Sequence, residues 1–296
     1  MTAVVETIAL TKTYGSARGI HDVSLRVEPG EVFGFLGPNG AGKTTTIRTL
    51  LDLQRPTSGE ARIFGLDSRR DSALIRARTG NLSGDFDFDP KLTGREMLGY
   101  LAALRGMRDL GSADTLAERF SADLSRPLGD LSRGNRQKIG LINAFFHDPD
   151  LLILDEPTSG FDPLMQEEFL SLVHEQRDAD RTVFLSSHDL DEVQRVCDRV
   201  GMIREGRLTA VERVSDLIKQ SYRRVRIEFA GPVDAHEFAR LPGVQSLEAD
   251  GRVLTFTVTG PLDAIVKQAA QHEVVDMELG HPNLEEIFVA MYGRTP

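Results

Sequence analysis

Residues 37–44, Gly-Pro-Asn-Gly-Ala-Gly-Lys-Thr, fit the pattern G-x-x-x-x-G-K-[ST]. The motif constrains more of the chain than its own positions. It needs a strand before it and a helix after it. Residues 31–36, Glu-Val-Phe-Gly-Phe-Leu, are apolar enough for the strand, and residues 44–53 read as a helix that stops near Pro56. A loop of small residues leaves backbone N–H groups pointing inward, where they can cradle phosphate oxygens. The helix that follows adds its positive end at the same place. Lys43 supplies a charge for the β- and γ-phosphates, and the Thr44 hydroxyl is a candidate ligand of Mg²⁺. The competing reading is a glycine-rich turn with no ligand, and the flanking strand and helix speak against it.

A second motif strengthens the first. Residues 151–156, Leu-Leu-Ile-Leu-Asp-Glu, form an apolar strand that ends in two carboxylates. Asp155 is placed for Mg²⁺, directly or through water. Glu156, one residue further, is the candidate base for an attacking water. Taken alone, the pair is equally well read as a strand end with two solvated acids. With a phosphate loop upstream, the chemical reading prevails.

The remaining elements follow an α/β order. Residues 7–10, 23–27 and 62–64 read as short strands, and residues 181–186 as a buried one followed by a helix over 191–200. Thr93 and Glu96 make a capping box ahead of Met97, Leu98, Leu101 and Leu104, and Gly106 ends that helix. A second helix covers residues 112–120. Residues 85–148 therefore look like a helical insert. After residue 218 the pattern changes: Val225, Ile227 and Phe229 alternate with charged residues, and the order becomes β-α-β-β-α-β-α. That order suits a small ferredoxin-like α+β module. The domains expected are residues 1–218 and 219–296.

Between the two motifs lies Leu131-Ser132-Arg133-Gly134-Asn135. It resembles the signature of ATP-binding-cassette (ABC) ATPases, and residues 4–218 as a whole resemble an ABC nucleotide-binding domain. The resemblance implies a phosphate-loop α/β domain with a helical insert, and a set of site residues. Tyr14 matches the aromatic residue that stacks on adenine. Gly37, Asn39, Gly40, Ala41, Gly42, Lys43, Thr44 and Thr45 match the phosphate cradle. Thr44 and Asp155 match the Mg²⁺ ligands, and Glu156, His188 and Lys43 the catalytic groups. His188 corresponds to the switch histidine at the γ-phosphate. Residues 159–162 match the D-loop, which runs along a partner subunit. In this family two cassettes sandwich two ATP molecules, so Ser132 and the backbone at Gly134 would act on the partner's nucleotide. One phosphate loop and one signature per chain then require a second cassette chain, identical or related.

Two positions depart from the family pattern. Gly84 stands where the family usually has glutamine, and Asp85 or a water is left to fill that role. In the signature, Arg133 replaces a common glycine and Asn135 a common glutamine; an isolated Arg133 is read as facing solvent. The ending, residues 283–288 with Tyr292-Gly293, resembles the tail on ATPase subunits of type-two ABC exporters, many of which carry drugs or antibiotics. A packing role for that tail and a regulatory one are equally open. So are local packing and permease docking for Phe86 and Phe88.

Composition narrows the partners. With 35 Lys+Arg against 45 Asp+Glu the net charge is −10, which argues against nucleic acid. The single cysteine, Cys197, cannot form an internal disulfide and reads as a buried apolar residue. The histidines show no zinc spacing. No apolar run approaches the ~18 residues of a membrane span, and the start of the chain has no secretory pattern. The expected place is the cytoplasm, peripheral on the inner face of the cell membrane, with separate transmembrane permease subunits. Three functions compete: an exporter ATPase, a slow or regulatory ATPase suggested by Gly84, and a soluble non-transport ABC ATPase.

Overall fold

The computed structural model describes residues 2–15, 17–83, 88–220 and 223–280. Gly84, Asp85, Phe86 and the proposed tail motif at residues 283–293, with its terminal helix, lie outside the described residues. Contacts divide the chain into two units, Met1–Glu212 and Arg213–Pro296.

The first unit runs β1 (Val5–Tyr14), β2 (Ala17–Val27), β3 (Val32–Leu36), α1 (Lys43–Leu50), β4 (Ser58–Ile63), β5 (Leu66–Asp67), α2 (Ser72–Ala77) and β6 (Thr79–Leu82). Then come α3 (Gly94–Leu104), α4 (Ala113–Arg119), α5 (Arg133–Phe145), β7 (Leu151–Asp155), α6 (Pro163–Asp178), β8 (Thr182–Ser187), α7 (Leu190–Val196), β9 (Arg199–Arg204) and β10 (Arg207–Arg213). An antiparallel sheet takes the order β2-β1-β4-β5, and a second sheet the order β10-β9-β3-β8-β7-β6. In the second, β9, β3, β8, β7 and β6 run parallel to one another.

Every residue of β3, β7 and β8 is buried, and the core that Phe33, Phe35, Ile153 and Phe184 join includes Val5, Val23 and Val27 of the antiparallel sheet as well as Ile47 of α1. Their unbroken apolar runs follow from that. Phe33 and Phe35 both pack on Phe184, with ring centroids 5.7 and 5.5 Å apart. The capping box of α3 is present: Thr93 accepts from Glu96 N, and Glu96 from Thr93 N. Met97 and Leu98 are buried, whereas Leu104 is exposed.

One expectation is corrected. The helix read over residues 191–200 ends at Val196, and Val200 lies on β9. Asp198 causes the break: its N–H donates to Val32 O at 2.8 Å and its Oδ2 accepts from Val32 N at 2.9 Å. Pairing with β3 overrides local helix propensity there. Cys197, at the turn, is 7% exposed, and burial pushes its thiol well above its usual range.

β6 is held close to α5. A Cβ on Gly80 would lie 1.9 Å from Ala144 O and 2.9 Å from Pro149 Cγ. Gly80→Ala should therefore destabilise the protein by roughly 2 kcal/mol through overpacking. Urea unfolding measures it, and an unchanged midpoint would mean that this contact is loose.

The second unit contains α8 (Val214–Gln220), β11 (Arg223–Phe229), α9 (Ala235–Ala239), β12 (Val244–Asp250), β13 (Val253–Val258), α10 (Asp263–Ala269) and β14 (Val274–Gly280). Its sheet is antiparallel in the order β12-β13-β11-β14, as the ferredoxin-like reading requires. Val225, Ile227 and Phe229 face a core with Phe238, Phe256 and Ile265.

Candidate functional site

The site follows from strand order. β3 lies beside β8 and β8 beside β7, all parallel, with Leu36 opposite Ser187 and Asp155 opposite Ser186. Their carboxyl ends therefore finish side by side. The residues that come next in the chain are the 37–44 loop, His188 and Glu156. A parallel sheet binds ligands at this edge.

The loop turns on two glycines with left-handed backbone, Gly40 (φ 79°) and Gly42 (φ 113°). A Cβ on Gly42 would stand 2.7 Å from Ile20 Cγ2, so space also demands glycine. α1 starts at once, at Lys43, and its first N–H groups have no acceptor within the helix. Lys43 is 5% exposed. Its ammonium donates to Gly37 O at 2.5 Å and Pro38 O at 3.3 Å, and pairs with Glu156 Oε1 at 3.0 Å.

The two acids differ in surroundings. Asp155 is 1% exposed and accepts from Ser186 Oγ at 2.6 Å. Glu156 has left-handed backbone (φ 50°), a costly conformation for a residue with a side chain. Strain of that kind collects where surrounding structure holds a group in place for use. Here Ser186 O accepts from Glu156 N at 3.2 Å, and Gln137 of α5 donates to Glu156 O at 3.4 Å and Pro157 O at 3.3 Å. The carboxylate bridges two groups, with Lys43 on Oε1 and His188 Nδ1 2.6 Å from Oε2. A carboxylate between an ammonium and an imidazole, open to the cavity, can orient and deprotonate a water.

That cavity, of about 360 Å³, is lined by Tyr14, Asn39, Gly40, Gly42, Lys43, Thr44, Thr45 and Glu156, with Gly19. The Tyr14 ring is half exposed, its hydroxyl donating to Gln54 Oε1 at 2.5 Å and the Lys12 ammonium 5.3 Å from its centroid. The cavity thus joins an aromatic face to an anion cradle. Gly37 joins it through its carbonyl on Lys43, while Ala41 N closes the loop on Pro38 O at 3.1 Å.

Ser132 and Gly134 are not among the residues lining this cavity. Ser132 caps α5, accepting from Asn135 N at 3.2 Å, so the helix starts at Arg133. A Cβ on Gly134 would lie 3.5 Å from Gly160 O, which places the signature against the 159–162 loop.

Sequence reasoning missed Ser186, Gln137 and Gln54. Only Gln137 carried a signal, five residues past the signature serine. The other two act through tertiary contacts. Among the described residues, no group of three or more His, Cys, Asp or Glu side chains is placed to hold a metal, and no helix is long and apolar enough to cross a membrane.

Two families of known proteins match the chain. The model of the family described as ABC transporter matches residues 20–159, and that of an ATP-binding protein DrrA1-3-like, C-terminal domain, matches residues 215–292. The chain is 32% identical to a bacitracin transport ATP-binding protein of Bacillus licheniformis, over 99% of this chain and 98% of the relative. It is 35% identical to a daunorubicin resistance ATP-binding protein of Streptomyces coeruleorubidus, over 95% and 93%. A solved ATP-binding subunit of an ABC transporter superposes with a TM-score of 0.64 at 29% identity, covering 72% of this chain and 91% of that one.

Proposed function

This chain belongs to the ATP-binding proteins of ABC transporters, and from that premise we propose that it is the ATPase subunit of an exporter, working as a pair of cassettes with separate membrane permease subunits. The observation that carries the reading is the single cavity uniting Tyr14, the phosphate loop and Glu156. Adenine stacks on Tyr14, the triphosphate lies on the 37–45 backbone and Lys43, and Glu156 takes the proton of the attacking water. His188, held on Glu156, senses the γ-phosphate.

Mg²⁺ fits the donor set. The Thr44 hydroxyl and the Asp155 carboxylate, with one oxygen fixed by Ser186, are hard oxygen ligands that leave positions for phosphate and water. When bound, the ion neutralises phosphate charge.

Ser132 and Gly134 lie outside their own chain's cavity and on the surface beside Gly160, which supports their acting on a second copy. ATP closes the pair and hydrolysis reopens it, a rigid-body switch driven by γ-phosphate contacts. The two named relatives transport bacitracin or confer daunorubicin resistance; amphiphilic small molecules leaving the cell are the corresponding cargo class here. The work takes place at the inner face of the cell membrane. Titration of the purified chain with ATP and Mg²⁺, followed by phosphate release, tests the core of this reading. A chain that neither binds nor cleaves ATP sinks it.

The relatives speak for the exporter over a slower, regulatory ATPase, and Gly84 in the glutamine position, which suggests the latter, is open to direct test. Gly84→Gln should raise hydrolysis several-fold if the absent side chain limits the rate. Phosphate release by the two proteins side by side decides; equal rates would mean that another group already serves.

A further inference from the structure

Glu192 is used by none of the steps above, yet it is buried at their edge. It lies in the first turn of α7 and is 7% exposed. Its Oε2 accepts from Ser187 Oγ at 2.6 Å. Ser187 ends β8, immediately before His188, and its carbonyl accepts from Gly37 N of the phosphate loop at 3.3 Å. Its hydroxyl oxygen also accepts from Asp189 N at 2.9 Å. Asp189 in turn caps α7, its Oδ1 accepting from Asp191 N at 2.9 Å and Glu192 N at 3.3 Å. His188 therefore sits between two residues that are both fastened to α7.

The arrangement is costly. A carboxyl loses its hydration on burial, and an apolar residue would fill a helix face against this sheet at less expense. Burial raises the Glu192 carboxyl to about 7, the Ser187 and Thr158 hydroxyls oppose that, and Asp189 and Glu156 push in the same direction as burial. Cys197, just past the end of that helix, has its thiol raised by burial. A polar group kept at such a place fixes a particular geometry when its partners need it. Two segments gain here, 187–189 through the Ser187 hydroxyl and the loop after Glu156 through the Thr158 hydroxyl.

We propose that Glu192 is a positioning residue for His188: by holding the Ser187 hydroxyl it fixes the end of β8, and with it the reach of the imidazole to Glu156 and the γ-phosphate. The inference rests on the reading of His188 as the γ-phosphate sensor.

The test is a double-mutant cycle on the full chain, reading ATP turnover, ATP affinity and thermal stability. Glu192→Ala should lower kcat about tenfold or more while ATP affinity stays within about twofold, because a small misplacement of a reacting group costs rate rather than binding. Glu192→Gln should recover most of the rate, since its amide oxygen still accepts from Ser187. Adding Glu192→Ala to His188→Ala should cost nothing further, as residues acting through one another are not additive. If Glu192→Ala does not fold, Ser187→Ala replaces it in the cycle with the same expected loss. An equal loss with and without His188, or a glutamine variant as slow as alanine, overturns the proposal. Wild-type turnover in His188→Ala instead overturns the reading of His188 on which it rests.

Discussion

Glu156→Gln should keep ATP binding and lose hydrolysis by a factor of roughly 10²–10⁴, the usual worth of a general base. The amide matches the carboxylate in shape, so its oxygen still accepts from Lys43 at the 3.0 Å contact and the strand end stays in place. What it cannot do is take a proton. ATP would then remain bound after the cassettes close, and a stable ATP-dependent dimer should appear on size exclusion. Turnover at the wild-type rate would remove Glu156 from the base role. Turnover lost together with ATP affinity would make it a binding residue instead.

Lys43→Ala should lose ATP affinity by about 3 kcal/mol, on the order of a hundredfold, as charge-assisted contacts to phosphate disappear. A second effect adds to the first. Lys43 pairs with Glu156 in a nearly buried position, so its removal leaves a carboxylate facing the bound phosphates without a compensating cation. Calorimetric titration with ATP measures the change, with the thermal transition of the variant as the control for folding. Unchanged affinity would contradict the placing of the loop.

Much of the site was legible in one dimension because its parts are local. The phosphate loop is a contiguous strand, turn and helix, and its glycines are dictated by φ at Gly40 and Gly42. The acids end a strand whose apolar run announces burial on both faces. The capping box of α3 is a local exchange of hydrogen bonds, so Thr93 and Glu96 were readable as such. Residues whose meaning depends on a distant partner were not readable. Ser186 gains its role from standing opposite Asp155 across 31 positions, and Gln54 from a tyrosine 40 positions earlier. The end of α7 was misread for the same reason, since β3 claims Asp198 across 166 positions.

By itself, then, the sequence determined which groups are available: the anion cradle, the paired acids, the signature serine, and two modules with different hydrophobic periods. These depend on backbone conformation and side-chain chemistry within a few residues. The tertiary structure alone decided how those groups meet. The order β3-β8-β7 brings Lys43, His188 and Glu156 to one edge, ties Glu156 to both of the others, and leaves Ser132 outside the same cavity. Strand order is a choice among long-range pairings, each settled by the burial of faces that lie far apart in the chain, and no local pattern encodes it.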